Sequence, residues 1–452
     1  MITKKKVLAA SAWVIGGHVF SQLIRFLGNL ILTRLLFPEY FGLVGVALIL
    51  VTGIIMFSDL GIKQCVIKSN NGKEQRFLST AWTIQILRGI FLGGFMLALS
   101  IGLKFYQSTL AENEIHKNVY SEPLLPEIII VLAIMPVILG FLSPHMYMAN
   151  RDLDLKRIAI IEVISGLMSL FITVVIAATT KSIWSLVSGI IISGVTKTAL
   201  SLVLFHGPSL SLLIDREHFR EIFNFGKWIM VSSMSGFLLS QGDRALLGYF
   251  LNAETLGIYT IGYFLINAAY QVLLKLNGSV FFPYLSNVSR KYEFYELGNA
   301  FYRLRARIDM IGFMIAGTLI VSGESVVAFL YDSRYYGAGW ILQLLALSVL
   351  AIIPVTFDQL FLAIGKSKWM TMGLLTQMFV IYLGIPIAFS YFEFPHVVMV
   401  IALAFIPRYF LCLWFARKIR ILKLSSELKG VAFIIPGILL GVLVENILEF
   451  VN

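Results

Sequence analysis

Stretches of about twenty consecutive apolar residues recur along almost the whole chain, and no other feature narrows the possible folds so far. A helix of about 20 such residues crosses the hydrocarbon core of a bilayer. Runs of this kind lie near 10–36, 40–62, 78–103, 127–149, 158–179, 183–205, 222–250, 256–282, 308–330, 338–364, 369–391 and 396–415, and a further one covers 431–450. The chain therefore reads as an all-α polytopic membrane protein of twelve spans with an extra C-terminal span. Composition agrees, since 58% of its 452 residues are hydrophobic and 13% charged. A soluble chain is nearer roughly half apolar and a quarter charged, and folding in water could not bury the excess. A soluble enzyme, a nucleic-acid-binding domain and a disulfide-stapled module are excluded. Cys65 and Cys412 follow no redox or metal-site spacing and are expected as free thiols. No small-residue cleavage site follows the first apolar run, so it is expected to stay as an uncleaved helix.

The net charge of +11 has a simple source in such a chain: cytoplasmic loops of membrane proteins carry the excess Lys and Arg. With the N-terminus placed inside, the inner segments hold twenty-four basic residues. The outer segments hold four: Lys104, Lys117, Lys181 and Arg334. This asymmetry orients the chain with its N-terminus cytoplasmic.

A repeat is visible when the chain is slid against itself by 215 residues. Trp13 then meets Trp228, Leu23 meets Leu238, Leu32 meets Leu247, Glu39 meets Glu254 and Gly42 meets Gly257. Six spans separate the copies, so both halves share one orientation. Parallel repeats about an axis along the membrane normal are a transporter architecture, with the substrate path between the halves. Two pseudo-symmetric six-helix lobes are expected, 1–205 and 222–415, around a central cavity. A cytoplasmic linker at 206–221 joins them, and a basic segment with the last apolar helix follows at 416–452.

Charges inside the spans narrow the function. Arg25, Arg34, Arg88, Lys197, Lys227, Arg244, Lys275 and Arg408 fall within or at the ends of spans, against Asp59, Glu162, Asp243, Glu324 and Asp358. A charge at mid-membrane costs roughly 2.5–3.5 kcal/mol, so such residues face a bundle interior or a watery cavity. The interior is net cationic, which suits an anionic passenger. In the first span His18, Gln22, Arg25, Asn29 and Thr33 share one helix face. The repeat carries that stripe to Ser233, Phe237, Ser240, Arg244 and Gly248, and Asn267, Gln271 and Lys275 form another in the eighth span. Blander roles stand beside these. Arg34, Lys227 and Lys197 would snorkel to an interface. Asp59 with Lys63, and Asp243 with Arg244, would serve equally as structural pairs. His18 suits a proton site or a packing hydrogen bond. Gly437 and Gly441 form a GxxxG pair, a signal of close helix packing. No metal-ligand spacing, phosphate-binding loop or nucleophile motif occurs, so active transport would draw on an ion gradient, of H+ or Na+, or on product removal.

Residues 29–68 resemble the polysaccharide transporter family of bacterial oligosaccharide flippases. The resemblance is carried by Arg34, Leu35, Leu36, Pro38, Glu39, Phe41 and Gly42, followed by Ser58, Asp59, Leu60 and Gly61. A second stretch, 225–263, is similar to that family through Asp243, Arg244, Leu247, Gly248, Leu251, Leu256, Gly257 and Tyr259, and Pro283 to Ser286 give its PxLS element. Many relatives end on an even number of spans, up to fourteen, whereas this chain stops after a thirteenth apolar run. The resemblance places the chain in the multidrug/oligosaccharidyl-lipid/polysaccharide exporter superfamily. It implies two six-helix lobes, a V-shaped cavity and alternating access. It implies as substrate an undecaprenyl pyrophosphate-linked oligosaccharide, flipped to the outer leaflet for surface polysaccharides such as O-antigen or exopolysaccharide, alongside glycosyltransferases and a polysaccharide polymerase.

On this reading Arg25, Arg88, Arg244 and Lys275 attract the pyrophosphate, because cationic side chains, and planar guanidiniums above all, hold phosphate oxygens. Gln22, Asn29, Gln241, Asn267 and Gln271 would bond sugar hydroxyls. Asp59, Asp358 and His18 are the candidates for ion coupling or gating. Three alternatives remain at this level. A drug/cation antiporter of the same superfamily would want acidic residues in its cavity. A membrane polysaccharide polymerase or ligase would want a large external catalytic loop, and the longest outer loop covers only 104–126. A structural membrane protein would have no need of costly charges in repeated positions.

Overall fold

The computed structural model describes residues 4–110, 117–152, 154–205, 207, 209–291 and 294–451. Among them the regular structure is entirely helical, and it divides into two compact units, Met1–Glu254 and Thr255–Asn452. The first contains α1 (Lys4–Leu35), α2 (Pro38–Phe57), α3 (Ile62–Lys68), α4 (Gln75–Ser108), α5 (Leu124–Leu132), α6 (Ile134–Gly140), α7 (His145–Arg151), α8 (Leu155–Thr180), α9 (Trp184–Leu204) and α10 (Arg216–Phe250). The second is built from α11 (Ala253–Lys291), α12 (Phe294–Leu330), α13 (Ala338–Leu345), α14 (Ile352–Ala363), α15 (Ser367–Tyr391), α16 (Phe394–Leu403), α17 (Phe405–Lys418), α18 (Leu424–Val431) and α19 (Ile434–Val451).

Every apolar run read from the sequence coincides with helix. Ten stretches among the described residues are long and apolar enough to cross a membrane. An eleventh is Leu124–Gly140 with His145–Arg151, bent by 62°. The helices α1 and α10 also have the length, at 32 and 35 residues. The C-terminal run forms α19, and Leu424–Phe450 is apolar enough to span.

The boundaries of the first turn explain its motif. Pro38 sits at the start of α2, where its missing N–H has no helical partner to lose and its φ is already helical. Glu39 in the same first turn faces the positive end of the helix dipole. The sequence repeat is reproduced at this level. Leu35 and Phe250 end helices, and Pro38 and Ala253 begin the next ones, in each case 215 residues apart.

Small residues let the helix backbones approach. An added Cβ at Gly89 of α4 would lie 2.4 Å from the Pro136 carbonyl oxygen, so α4 and α6 pack almost backbone to backbone. Gly437 and Gly441 seat α19 on Met314 and Thr318 of α12 in the same way. On α1, Gly17 meets Ala159 and Gly28 meets Leu170 of α8. At about 100° per residue, the stripe of Gln22, Arg25, Asn29 and Thr33 lies roughly a third of a turn from that seam. The apolar Val19, Phe20, Leu23 and Leu27 are exposed on the remaining side.

The segment expected as a linker, 206–221, is only partly a loop, because α10 already starts at Arg216. What precedes it is laced to α4. Backbone N–H groups of Ser211, Leu213 and Asp215 donate to the hydroxyls of Ser79, Thr83 and Thr80 at 3.3, 3.0 and 3.0 Å. The Gln75 amide donates to the Ser209 carbonyl at 2.9 Å. These bonds tie the start of α10 to α4, and α10 then packs on α2, α3 and α4. The helix that the sequence places first in the second lobe thus belongs to the first compact unit.

Candidate functional site

The Ser58-Asp59-Leu60-Gly61 sequence is a turn that fixes a charge. The Ser58 hydroxyl bonds back to the carbonyls of Ile54 and Ile55, both at 3.1 Å, at the end of α2. Asp59 Oδ1 accepts the Gly61 N–H at 2.9 Å, the short local bond that makes Asp a turn residue. Gly61 has φ of 57° and leads into α3, a left-handed conformation in which a side chain is strained. Against this turn lies α10. A Cβ at Gly226 would sit 2.5 Å from the Leu60 carbonyl oxygen, and Ser233 donates to Asp59 Oδ2 at 2.9 Å.

Across from the turn, Arg88 of α4 donates from Nε to Ser58 Oγ at 3.0 Å and from Nη2 to the Ile55 carbonyl. Arg88 and Asp59 line a cavity of 310 Å³ in the first unit, together with Lys63, Gln64, Gln85, Tyr147 and Lys197. Its apolar wall comes from Ile55, Leu92, Pro136, Leu139 and Leu142 among others. Gln85 donates to the carbonyls of Leu139, Gly140 and Leu142 at 3.0–3.1 Å, where the helix after α6 breaks, and accepts the Tyr147 hydroxyl at 3.0 Å. Three basic side chains and one carboxylate thus share one hollow.

The other expected site residues fall elsewhere. Arg25 is exposed on α1, and it makes no hydrogen bond or ion pair among the described residues. Gln22 and Asn29 are half-buried on the same helix. The side chain of His18 lies outside the described residues. Arg244 bonds within α10, to Gln241 Oε1 and to the Ser240 carbonyl. In the second unit Gln271 donates to Asn267 at 3.4 Å, and Lys275 follows one turn later, half-buried. Asp358 of α14 is paired with Arg408 of α17, which also donates to Gln377 of α15 at 2.7 Å. Asp358 and Arg408 are buried, so this pair is a buried contact between three helices.

Sequence reasoning missed two things. One is the company of Arg88, since the sequence offers Lys63 as an inner-segment charge or a partner of Asp59, and Lys197 as an interface residue. Helical spacing carries no such signal, because residues 59–61 lie in the turn between α2 and α3. The other is a charge cluster in the second unit. Arg305, counted among the loop charges, is 1% exposed. Its guanidinium donates to both oxygens of Glu427 at 2.7 and 2.5 Å and reaches Asp309 at 3.2 Å. Tyr302 and Tyr409 hydroxyls also donate to Glu427, at 2.7 and 2.5 Å. Phe357 stacks on the guanidinium, 4.9 Å from ring centre to Cζ. The cluster fastens α18, and through it the C-terminal segment, to α12 and α17.

The family described as polysaccharide biosynthesis protein matches residues 31–339, well over half of the chain. The chain belongs to that family. Among curated relatives, the chain is similar to the teichuronic acid biosynthesis protein TuaB of Bacillus subtilis (strain 168). Identity is 23% over 299 residues, 66% of this chain and 57% of TuaB. It is 21% identical over 353 residues to the lipopolysaccharide biosynthesis protein WzxC of Escherichia coli (strain K12), covering 76% of this chain and 67% of WzxC. The matched region thus spans little more than half the length of TuaB. Among solved structures, the lipid II flippase MurJ in an inward closed conformation superposes with a TM-score of 0.71 at 14% identity, over 97% of this chain and 98% of that one. An inward-facing multidrug resistance MATE transporter gives 0.62 at 13% identity, over 95% and 96%. These likenesses establish the fold of a multi-pass helical membrane protein.

Proposed function

We propose that the protein is a flippase, not an enzyme, which moves undecaprenyl pyrophosphate-linked oligosaccharide repeat units across a bacterial cytoplasmic membrane for surface polysaccharide synthesis. Family membership and the names of WzxC and TuaB support the class. The observation that carries the reading is the surplus of positive charge in an embedded hollow, with Arg88, Lys63 and Lys197 against Asp59. A charge of that kind inside a membrane protein marks a substrate or ion path. The surplus sign selects an anionic headgroup over a cationic drug. That argues against the antiporter reading, which the likeness to the MATE transporter would otherwise favour.

In the full mechanism two lobes rock about a hydrated path with the N-terminus cytoplasmic. Arg25, Arg244 and Lys275 join Arg88 in attracting the headgroup, and Gln22, Asn29, Gln241, Asn267 and Gln271 bond sugar hydroxyls. Asp59, Asp358 or His18 couples the cycle to an H+ or Na+ gradient. Lipid carrier and product pass between glycosyltransferases and a polysaccharide polymerase.

The test is surface glycan in a strain lacking the gene, complemented with wild type, Arg88→Ala or Arg25→Gln, with membrane abundance followed by immunoblot. Arg88→Ala is expected to reduce surface glycan at least about tenfold at normal abundance, the loss of a charge-assisted contact to phosphate. Arg25→Gln is expected to give a smaller loss. Full glycan from both variants would remove the cationic path, and altered drug sensitivity in place of glycan loss would select the antiporter.

A further inference from the structure

We propose that the hollow in the first unit is the seat of the diphosphate group of the lipid carrier, with Lys197 and Lys63 as the residues that hold it beside Arg88. This rests on the flippase reading and names the subsite within it.

The argument is an account of which polar groups are already spent. The neutral ones are. Gln85 gives its amide hydrogens to three backbone carbonyls and accepts from Tyr147, so neither it nor the Tyr147 hydrogen is free for a sugar hydroxyl. Both oxygens of Asp59 already accept bonds, from Gly61 and from Ser233. That carboxylate is engaged by the turn and by α10. Arg88 uses two of its five N–H groups on Ser58 and Ile55. Lys63 and Lys197 make no hydrogen bond or ion pair among the described residues, although both line the cavity. The donors left over are therefore cationic, apart from Gln64 at the exposed rim.

A hollow whose unspent donors are ammonium and guanidinium groups selects an anion and not a neutral sugar. Its charge sum is two positive, from three cations and one carboxylate, which matches a group bearing about two negative charges. Lys197 lies well inside α9, half-buried, and Lys63 is exposed at the start of α3. Entry past Lys63 and seating on Arg88 and Lys197 follows from that gradient of burial. The apolar wall of Ile55, Leu92 and Leu139 suits the first isoprene units beside the diphosphate, not a hydrated glycan.

Purified full-length protein in nanodiscs of zwitterionic lipid tests the assignment, with farnesyl pyrophosphate as the probe and binding followed by calorimetry. Wild type is expected to bind it, with inorganic pyrophosphate competing. Lys197→Gln is expected to weaken binding at least about tenfold, as loss of one charge-assisted bond requires, and Lys197→Arg to restore most of it. Thermal unfolding in the same discs shows whether Lys197→Gln is folded, and Lys63→Gln at the exposed rim gives a second reading with a smaller loss. Unchanged binding in both lysine variants would overturn the site. Displacement by phosphatidylglycerol but not by inorganic pyrophosphate would overturn the diphosphate as its occupant. The two proposals fail separately. A wild type that binds the probe but moves no lipid-linked oligosaccharide in vesicles sinks the flippase and leaves the site. One that transports, while Lys197→Gln binds and transports equally, sinks the site alone.

Discussion

Arg88 in the first unit and Arg305 in the second both lie on long apolar helices, and their surroundings differ. Arg305 meets two carboxylates and sits among aromatic rings. Arg88 meets a serine hydroxyl and a carbonyl, beside a hollow shared with two unpaired lysines. A guanidinium whose valences are closed by protein holds helices together. One whose valences stay open at a cavity is available to a ligand. The distinction is not visible in burial alone. It lies in the partners, because a buried charge is tolerable only where it is paired and bonded.

This contrast can be broken by mutation. Glu427→Ala should have the largest effect on stability. It leaves Arg305 buried with Asp309 alone and strips partners from Tyr302 and Tyr409, a loss of about 3–5 kcal/mol for a broken buried pair. Arg88→Ala should cost only about 1 kcal/mol, since it removes two bonds while Ser58 and Asp59 keep their own. Unfolding of both variants in detergent measures the pair, and equal losses would erase the difference between a closed and an open arginine. Gly61→Ala sharpens the comparison at the turn. Its φ of 57° and a Cβ that would lie 2.7 Å from Ile229 Cγ1 predict a cost of about 2 kcal/mol. A wild-type melting temperature would show that α10 does not hold the turn as described.

The smallest effect belongs to Asp215, which caps α10 by accepting the N–H groups of Glu217 and His218 at 2.9 and 3.2 Å. The His218 N–H, first among several causes, holds its carboxyl below the usual range. A carboxyl depressed in the folded protein stabilises it above the ordinary value of about 3.9, and the contribution fades as pH falls through the folded value. Melting temperatures of wild type and Asp215→Ala should therefore differ at neutral pH and converge well below about pH 4. A gap that persists in acid would mean that the cap acts without its charge.

Much of the fold was legible in the chain. Apolar runs placed the helices, and the Pro38-Glu39 and Ala253-Glu254 starts were visible as one repeat because helix initiation is local chemistry. Gly437 and Gly441 announced the close packing of α19, since only a missing side chain permits that approach. The site was legible only in part. Asp59 and Arg88 stand out in the sequence and lie together, but they are 29 positions apart, one in the turn after α2 and the other on α4, and nothing in the spacing links them to Lys197. In the sequence Arg305 counts as a loop charge, because its neutralising partner, Glu427, is 122 residues away. Local pattern cannot show such a pairing.

By itself the sequence determined that this protein is a helical membrane protein with an excess of embedded positive charge, because length, apolarity and charge sign are properties of single segments. The tertiary structure decided which of those charges are paired and which are left open. It also decided that α10 belongs with the first unit. Both depend on which distant segments touch, and contact between distant segments is settled by packing, not by any local stretch of chain.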